Sequence, residues 1–171
     1  MTNHQKGYRR DRLVLETIEE WGTMDTDQIK ILFYPSLAVA RRRLRILTNK
    51  GRVKRFRDTV EIPYAYYITK YDYKRLILNW ARIWLIKHCS QWEVLDSFDY
   101  ETNTAITRNT VTNAVKTYTV HYNVTRKTWL NDNVIIVYDN DDLRRTAEKL
   151  IKGTLLTIES IKEGLKCVKC S

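Results

Sequence analysis

Ser36-Leu-Ala-Val-Ala-Arg-Arg-Arg-Leu-Arg-Ile-Leu-Thr-Asn-Lys-Gly-Arg-Val-Lys-Arg-Phe-Arg57 is the stretch on which the reading of this chain turns. Nine basic residues stand between Arg41 and Arg57: Arg41, Arg42, Arg43, Arg45, Lys50, Arg52, Lys54, Arg55 and Arg57, with no Asp or Glu among them. An apolar row, Leu37, Ala40, Leu44 and Leu47, runs through this charge in steps of three, four and three. That spacing predicts a helix with one buried stripe and a cationic face. Ser36 is placed to cap it and Gly51 to stop it. A short basic strand over Arg52–Arg57 follows, with Val53 and Phe56 as its apolar members.

Working upstream, Pro35 ends a short second helix through Ile29, Leu32 and Phe33, which Asp25 or Thr26 can cap. Thr23–Asp25 reads as a turn. Arg10–Gly22 reads as a first helix with Leu13, Val14, Ile18 and Trp21 on its inner face, and residues 1–8 are expected to be loose. Working downstream, Tyr64–Thr69 is β-rich and pairs with the basic strand, leaving Asp58–Pro63 as a hairpin tip. Helix, helix, helix, strand, wing, strand is the winged helix-turn-helix order. The helix from Ser36 then takes the place of the one that enters a DNA groove.

Residues 70–89 predict a long helix. Tyr73, Leu76, Ile77, Trp80, Ile83 and Trp84 form one stripe, broadened by Leu78, Ala81, Leu85 and Ile86. A helix apolar over so much of its circumference must be covered on more than one side. Tyr73, Ile77, Trp80, Ile83 and Trp84 are therefore the candidate seam of a homodimer, the alternative being that the rest of the chain covers them. Beyond Ser90 the texture alternates. Trp92–Tyr100, Ala114–Thr125 and Asn133–Tyr138 read as strands, Asp139–Asp142 as a turn and cap, and Leu143–Lys152 as a helix with Leu143, Ala147, Leu150 and Ile151 inward. Thr154–Lys166 reads as a strand or a short helix. The fold class expected is α+β (α/β). It comprises a winged helix-turn-helix domain over 8–72, a linking helix over 73–90 and a small α/β domain over 91–166.

Charge separates the two halves. Residues 1–90 hold 19 Lys+Arg against 9 Asp+Glu, and residues 91–171 hold 11 against 11, so the whole net charge of +10 lies in the first half. A polyanion, most simply double-stranded DNA, should dock there. No apolar run is long enough for a membrane span. The three Cys, an odd number, fit a reducing cytosol without structural disulfides.

On the helix from Ser36, removing the buried row leaves Ser36, Ala38, Val39, Arg41, Arg42, Arg43 and Arg45 facing outward. Arg pairs bidentately with guanine or phosphate, Ser36 can meet a phosphate, and Ala38 and Val39 can meet thymine methyls. Arg52, Lys54, Arg55 and Arg57 in the wing are expected on phosphate or in the minor groove. No cofactor is called for. Glu93, Asp96, Asp99 and Glu101 lie on or beside one strand, where Asp99 and Glu101 share a face that Glu93 and Asp96 do not. A metal-dependent nuclease needs clustered carboxylates and a Lys nearby, and no acid lies in Thr117–Tyr122. His4, His88 and His121 show no ligand spacing. Cys167-Val-Lys-Cys170 supplies two zinc ligands of four, and completion would take Cys89 or a second chain. Asp139-Asn-Asp-Asp142 lacks the Gly and distal Glu of an EF-hand, so capping explains it better. The five Trp, Trp21, Trp80, Trp84, Trp92 and Trp129, are read as core.

The segment Phe33-Tyr-Pro-Ser-Leu-Ala-Val-Ala-Arg-Arg-Arg-Leu-Arg-Ile-Leu-Thr-Asn-Lys-Gly-Arg-Val-Lys-Arg-Phe56, with Tyr66-Tyr-Ile-Thr-Lys70, resembles the replication-relaxation proteins of plasmids, phages and integrative elements. The likeness covers residues 10–75. It implies a winged-helix DNA-binding domain, control of transcription or replication on a mobile element, and a bacterial cytoplasmic setting. Members of that family continue into a domain reminiscent of nuclease folds, with a Pro-Asp and a later Glu-x-Lys pairing. This chain departs from them by lacking both. Its second half is thus expected to be a catalytically inactive nuclease-like or dimerisation domain, and the chain no enzyme. The alternatives are a nuclease or relaxase-like enzyme, and an adaptor whose neutral half binds another protein while the basic half holds DNA.

Overall fold

The computed structural model describes residues 3–88, 91–124, 133–148, 151 and 153–167. It is a mixed α+β chain with six helices and two sheets among those residues. The chain divides into two compact units, Met1–Asn79 and Trp80–Ser171. The boundary falls inside the long helix expected over 70–89, not at either of its ends.

In the first unit, α1 (Asn3–Trp21) starts seven residues before the expected Arg10. Val14, Ile18 and Trp21 face inward, but Leu13 is 45% exposed. Gly22 ends the helix with φ at 79°, a conformation that L side chains rarely adopt. The stretch read as a turn contains a short strand, β1 (Met24–Asp25). Asp25 also caps α2 (Thr26–Phe33). Its carboxylate accepts from the Gln28 amide at 2.8 Å, while the Gln28 side-chain oxygen accepts from the Asp25 amide at 3.0 Å. This reciprocal pair satisfies two N–H groups that a helix start leaves open.

α3 (Leu37–Asn49) follows with Ser36 as its cap, and buries Ala40, Leu44 and Leu47. The strands β2 (Lys54–Phe56) and β3 (Ala65–Tyr67) pair antiparallel, with Lys54 opposite Tyr67 and Phe56 opposite Ala65. Both are shorter than the sequence pattern implies. β1 adds to the other edge of β3, giving the order β1-β3-β2. Phe56 does not join the core. It is 41% exposed and packs its ring 4.8 Å from that of Tyr71.

The helix α4 (Tyr73–His88) begins in this unit, where Leu76, Ile77 and Leu78 are buried. Asn79 is buried too, because its side-chain amide donates to the Thr23 carbonyl at 2.9 Å. The Gln28 side chain donates to the Leu76 carbonyl at 2.7 Å.

The second unit carries the remainder of α4 and a five-stranded sheet of order β4-β5-β6-β7-β8. Its strands are β4 (Glu93–Asp99), β5 (Thr104–Asn109), β6 (Val115–Tyr122), β7 (Val134–Tyr138) and β8 (Thr154–Thr157). The first three form an antiparallel meander, and β6, β7 and β8 are mutually parallel. The sequence reading had no β5, whose Thr-Ala-Ile-Thr-Arg-Asn shows no apolar alternation. Its position between two stronger strands supplies the pairing instead.

β7 is buried at all five positions, as expected of a strand covered on both faces. On one face Val134, Ile136 and Tyr138 form a core with Ala147 of α5 (Asp141–Glu148) and with Ile151. α6 (Ile158–Cys167) buries Ile161 and Leu165. The final segment is therefore strand and helix in turn. Trp80 is fully buried under the Lys162 ammonium, 5.1 Å from the ring, whereas Trp92 is 53% exposed instead of core. Trp129, Leu150, Cys89 and Cys170 lie outside the described residues, as does the side chain of Cys167.

Burial corrects the expected dimer seam. Ile77, Trp80 and Ile83 are closed to solvent in a single chain and Trp84 is half-buried, leaving Tyr73 exposed. Of the five, Tyr73 and in part Trp84 are the ones open to solvent in the single chain. None of the described helices is long and apolar enough to cross a membrane.

Across β4 and β5 the Arg108 guanidinium donates to both oxygens of Asp96, at 2.7 and 3.0 Å. Those hydrogen bonds, with the charge attraction behind them, hold the Asp96 carboxyl below its ordinary range. A depressed carboxylate contributes stability that is present above its unfolded pKa of about 3.9 and lost as pH falls through the folded value. The gap in melting temperature between the native protein and Asp96→Asn should thus be present at neutral pH and close as the solution is acidified below that range. A gap that persists unchanged in acid would show that the pair does not carry it.

Candidate nucleic-acid interface

The basic helix is held at both ends. At its start the Ser36 hydroxyl accepts from the Val39 amide at 3.3 Å. At its end the Lys50 amide reaches the Ile46 carbonyl at 3.1 Å, and the Arg52 amide the Leu47 carbonyl at 3.0 Å. Gly51 takes φ of 65° between them, so the chain leaves α3 in a tight stop. Val53 is buried at once and β2 begins. The burial of Ala40, Leu44 and Leu47 turns Arg41, Arg42 and Arg45 outward.

Alternate residues of a strand share a face, and this sorts the hairpin. Arg55 and Arg57 lie on one face with Tyr64, their guanidinium carbons 4.7 and 4.3 Å from its ring centre. Lys54 and Phe56 lie on the other. A groove of about 710 Å³ opens between α3 and the hairpin, and Arg41, Arg42, Arg45, Arg55 and Arg57 all line it. Ala38, Thr26, Ile62, Tyr64 and Tyr66 complete much of the wall, with Asp27 and Glu61 as its acids. Burial, the largest influence, pushes the Tyr66 phenol up from its ordinary value.

Charge pairing distinguishes these five arginines. Among the described residues none of them forms an ion pair with a carboxylate, whereas Arg12, Arg43, Arg108, Arg144 and Arg145 all do. Five guanidinium groups around one groove repel each other, and an anion entering it relieves that repulsion.

Arg43 is brought elsewhere. It turns back to α1 and holds the Asp11 carboxylate with two hydrogen bonds, one from Nε at 3.0 Å and one from its terminal nitrogen. The Tyr34 hydroxyl donates to the same carboxylate at 3.3 Å, and Arg10 lies 5.7 Å from the Tyr34 ring centre. Asp11 is only 8% exposed. Burial, followed by the Asp11 charge, pushes the Tyr34 phenol far up, and the Asp11 hydrogen bond raises the Arg43 guanidinium. Arg43 thus ties α3 to α1 and the turn before α3, and is not an outward-facing residue of the basic face.

The other expected residues divide. Ala38, Arg41, Arg42, Arg45, Arg55 and Arg57 line the groove, and Arg52 and Lys54 are exposed outside it. Ser36 is exposed, with its hydroxyl oxygen accepting the cap bond from Val39, and Val39 is half-buried. Sequence reasoning missed Tyr64, Tyr66 and Thr26. The signal lay in the hairpin register, because Arg55 pairs with Tyr66 and so brings Arg57 opposite Tyr64.

The acids of the second unit do not converge. Asp96 pairs with Arg108, and Glu93 accepts from Lys116 at 2.8 Å. β4 ends at Asp99, which caps the following turn by accepting from the Glu101 amide and the Thr102 hydroxyl, both at 2.8 Å. Asp99 and Glu101 therefore do not share a strand face as expected. The Thr102 hydroxyl, then the Glu101 amide, holds the Asp99 carboxyl below its usual range. Among the described residues no three of His, Cys, Asp and Glu are grouped to hold a metal ion. No family model, curated protein or solved structure matches this chain.

Removing one partner of a carboxylate this closed leaves a charge short of hydrogen bonds. Arg43→Ala should lower unfolding free energy by roughly 1.5–3 kcal/mol in urea titration, while Arg42→Ala stays within about 0.5 kcal/mol of the native protein. Equal stability of the two variants would remove Arg43 from this structural role.

Proposed function

We propose that the chain is a double-stranded DNA-binding protein whose first unit is a winged helix-turn-helix, with α3 in the major groove and the β2–β3 hairpin on the flanking backbone. The observation that carries this reading is the gathering of Arg41, Arg42, Arg45, Arg55 and Arg57, none with a carboxylate partner among the described residues, around one groove. The element order and the β1-β3-β2 sheet agree with it. So does the placement of the whole excess charge of +10 in residues 1–90. Arg43 is left out of the contact set. Control of transcription or replication on a mobile element is the biological part of the proposal, and it rests on the resemblance of residues 10–75 alone.

No chemistry is assigned to the second unit, since Glu93, Asp96 and Asp99 are committed to Lys116, Arg108 and a turn. Two-fold pairing belongs to the proposal because one helix reads few base pairs. Of the residues expected in its seam, Tyr73 and the half-buried Trp84 are the ones open to solvent in the single chain.

Fluorescence anisotropy with a labelled duplex tests the reading. Log K should fall with log salt at a slope of about −4.5 per chain if all five arginines neutralise a phosphate. Arg55→Ala with Arg57→Ala should reduce the slope by about 1.8 on every sequence. Arg42→Ala should cost roughly 1–3 kcal/mol and relax base preference if it reads a base. Binding that is weak and indifferent to all of these changes would sink the proposal. A protein that stays monomeric by light scattering on and off DNA would sink the pairing alone, and Mg²⁺-dependent cleavage of the duplex would restore the enzyme reading.

A further inference from the structure

We propose that Tyr64 is the positioning residue of a preformed phosphodiester clamp made by Arg55 and Arg57. The inference rests on the DNA-binding reading above and adds a residue that the basic pattern of the sequence does not contain.

Arg55 on β2 and Arg57 just past its end stand two apart and turn to the same ring, so their charges are neighbours, and among the described residues neither forms an ion pair with a carboxylate. Left to themselves, two long side chains would splay apart into water, and ordering them again on a ligand costs rotamer entropy. The Tyr64 ring prevents this. Both guanidinium groups sit over it, at 4.7 and 4.3 Å, within the range in which the negative face of the ring attracts a cation. Arg57 is steadied again by a hydrogen bond from its terminal nitrogen to the Val60 carbonyl at 3.3 Å.

The backbone that carries the ring is itself anchored. The Tyr64 carbonyl accepts from the Thr26 amide at 3.0 Å and from the Thr26 hydroxyl at 3.1 Å, which ties the base of the hairpin to the start of α2. Tyr66, two residues on, is buried. The Tyr64 ring lies 6.5 Å from that of Tyr66, in the wall of the groove that Arg41, Arg42 and Arg45 also line.

A guanidinium stacked on a ring leaves the N–H donors in its plane free, apart from the one that Arg57 gives to Val60. Those in-plane donors are the ones that match phosphate oxygens. The arrangement fits a backbone that presents acceptor oxygens in succession, which is a phosphodiester strand. The Tyr64 hydroxyl has no part in this, so phenylalanine should serve as well.

The test uses the full chain, a fluorescein-labelled duplex and a salt titration. Tyr64→Leu should weaken binding about five- to thirtyfold, the loss of two cation–ring contacts, with the salt slope retained because both charges remain. Tyr64→Phe should stay within about twofold of the native protein. In an Arg55→Ala, Arg57→Ala background, Tyr64→Leu should add less than about a twofold loss. Circular dichroism melts confirm folding, and Tyr64→Gln replaces Tyr64→Leu should the latter not fold. The clamp is overturned if Tyr64→Leu binds like the native protein, if Tyr64→Phe falls as far as Tyr64→Leu, or if the loss is the same without the arginines. In each of these cases the native protein still binds duplex and the DNA reading stands. A native protein that binds no duplex overturns both.

Discussion

A carboxylate as closed to solvent as Asp11 is costly unless its oxygens are hydrogen-bonded, and Arg43 and Tyr34 meet that need. Asp11 comes from α1, Tyr34 from the turn before α3, and Arg43 from α3 itself. Their meeting sets the roll of α3 about its axis and its place against α1. The apolar row of Ala40, Leu44 and Leu47 would tolerate some rotation, since apolar contact is not directional. The two-pronged bond to Asp11 does not, because a planar guanidinium must meet the carboxylate in its plane. The buried row turns Arg41, Arg42 and Arg45 outward, and this tie holds that aim against rotation.

The hairpin completes the groove by a different constraint. Gly51 stops α3 sharply, Val53 goes into the core, and the strand period then divides the basic residues between two faces. Arg55 and Arg57 go to the groove, and Lys54 does not. Charge alone would count these residues together, whereas the alternation of a strand makes them unequal. β1 supports the arrangement from the other edge of β3, and Asp25 serves at once as a strand residue and as the cap of α2.

The second unit shows charges used for construction. Asp96 with Arg108 and Glu93 with Lys116 are pairs between strands, and Asp99 closes a hairpin turn. Asn103 and Asn113 take positive φ at the two hairpin turns of the meander, where Asn tolerates that conformation better than most residues. β7, buried at every position, packs against α5, while Val94 of β4 and Val115 at the start of β6 remain exposed.

Much of this was legible in the linear chain. The caps at Asp25 and Ser36, the stop at Gly51, the buried row of α3 and the paired strands after it follow from local rules, because a helix end or a strand alternation is set within a few residues. So does the gathering of the excess charge in the first half. What the sequence could not decide depends on residues far apart in it. Arg43 looks like its neighbours until Asp11, thirty-two residues away, meets it. Tyr64 carries no charge, and only the register of β2 against β3 brings it under Arg55 and Arg57. The apolar circumference of α4 predicted cover on several sides, but whether that cover came from a second copy or from this chain was a matter of packing. β5 has too little apolar pattern to declare itself, and its strand state comes from the neighbours that pair with it. Periodicity and capping act over a turn of chain, whereas pairing, burial and register act across the fold, and only tertiary structure settles them.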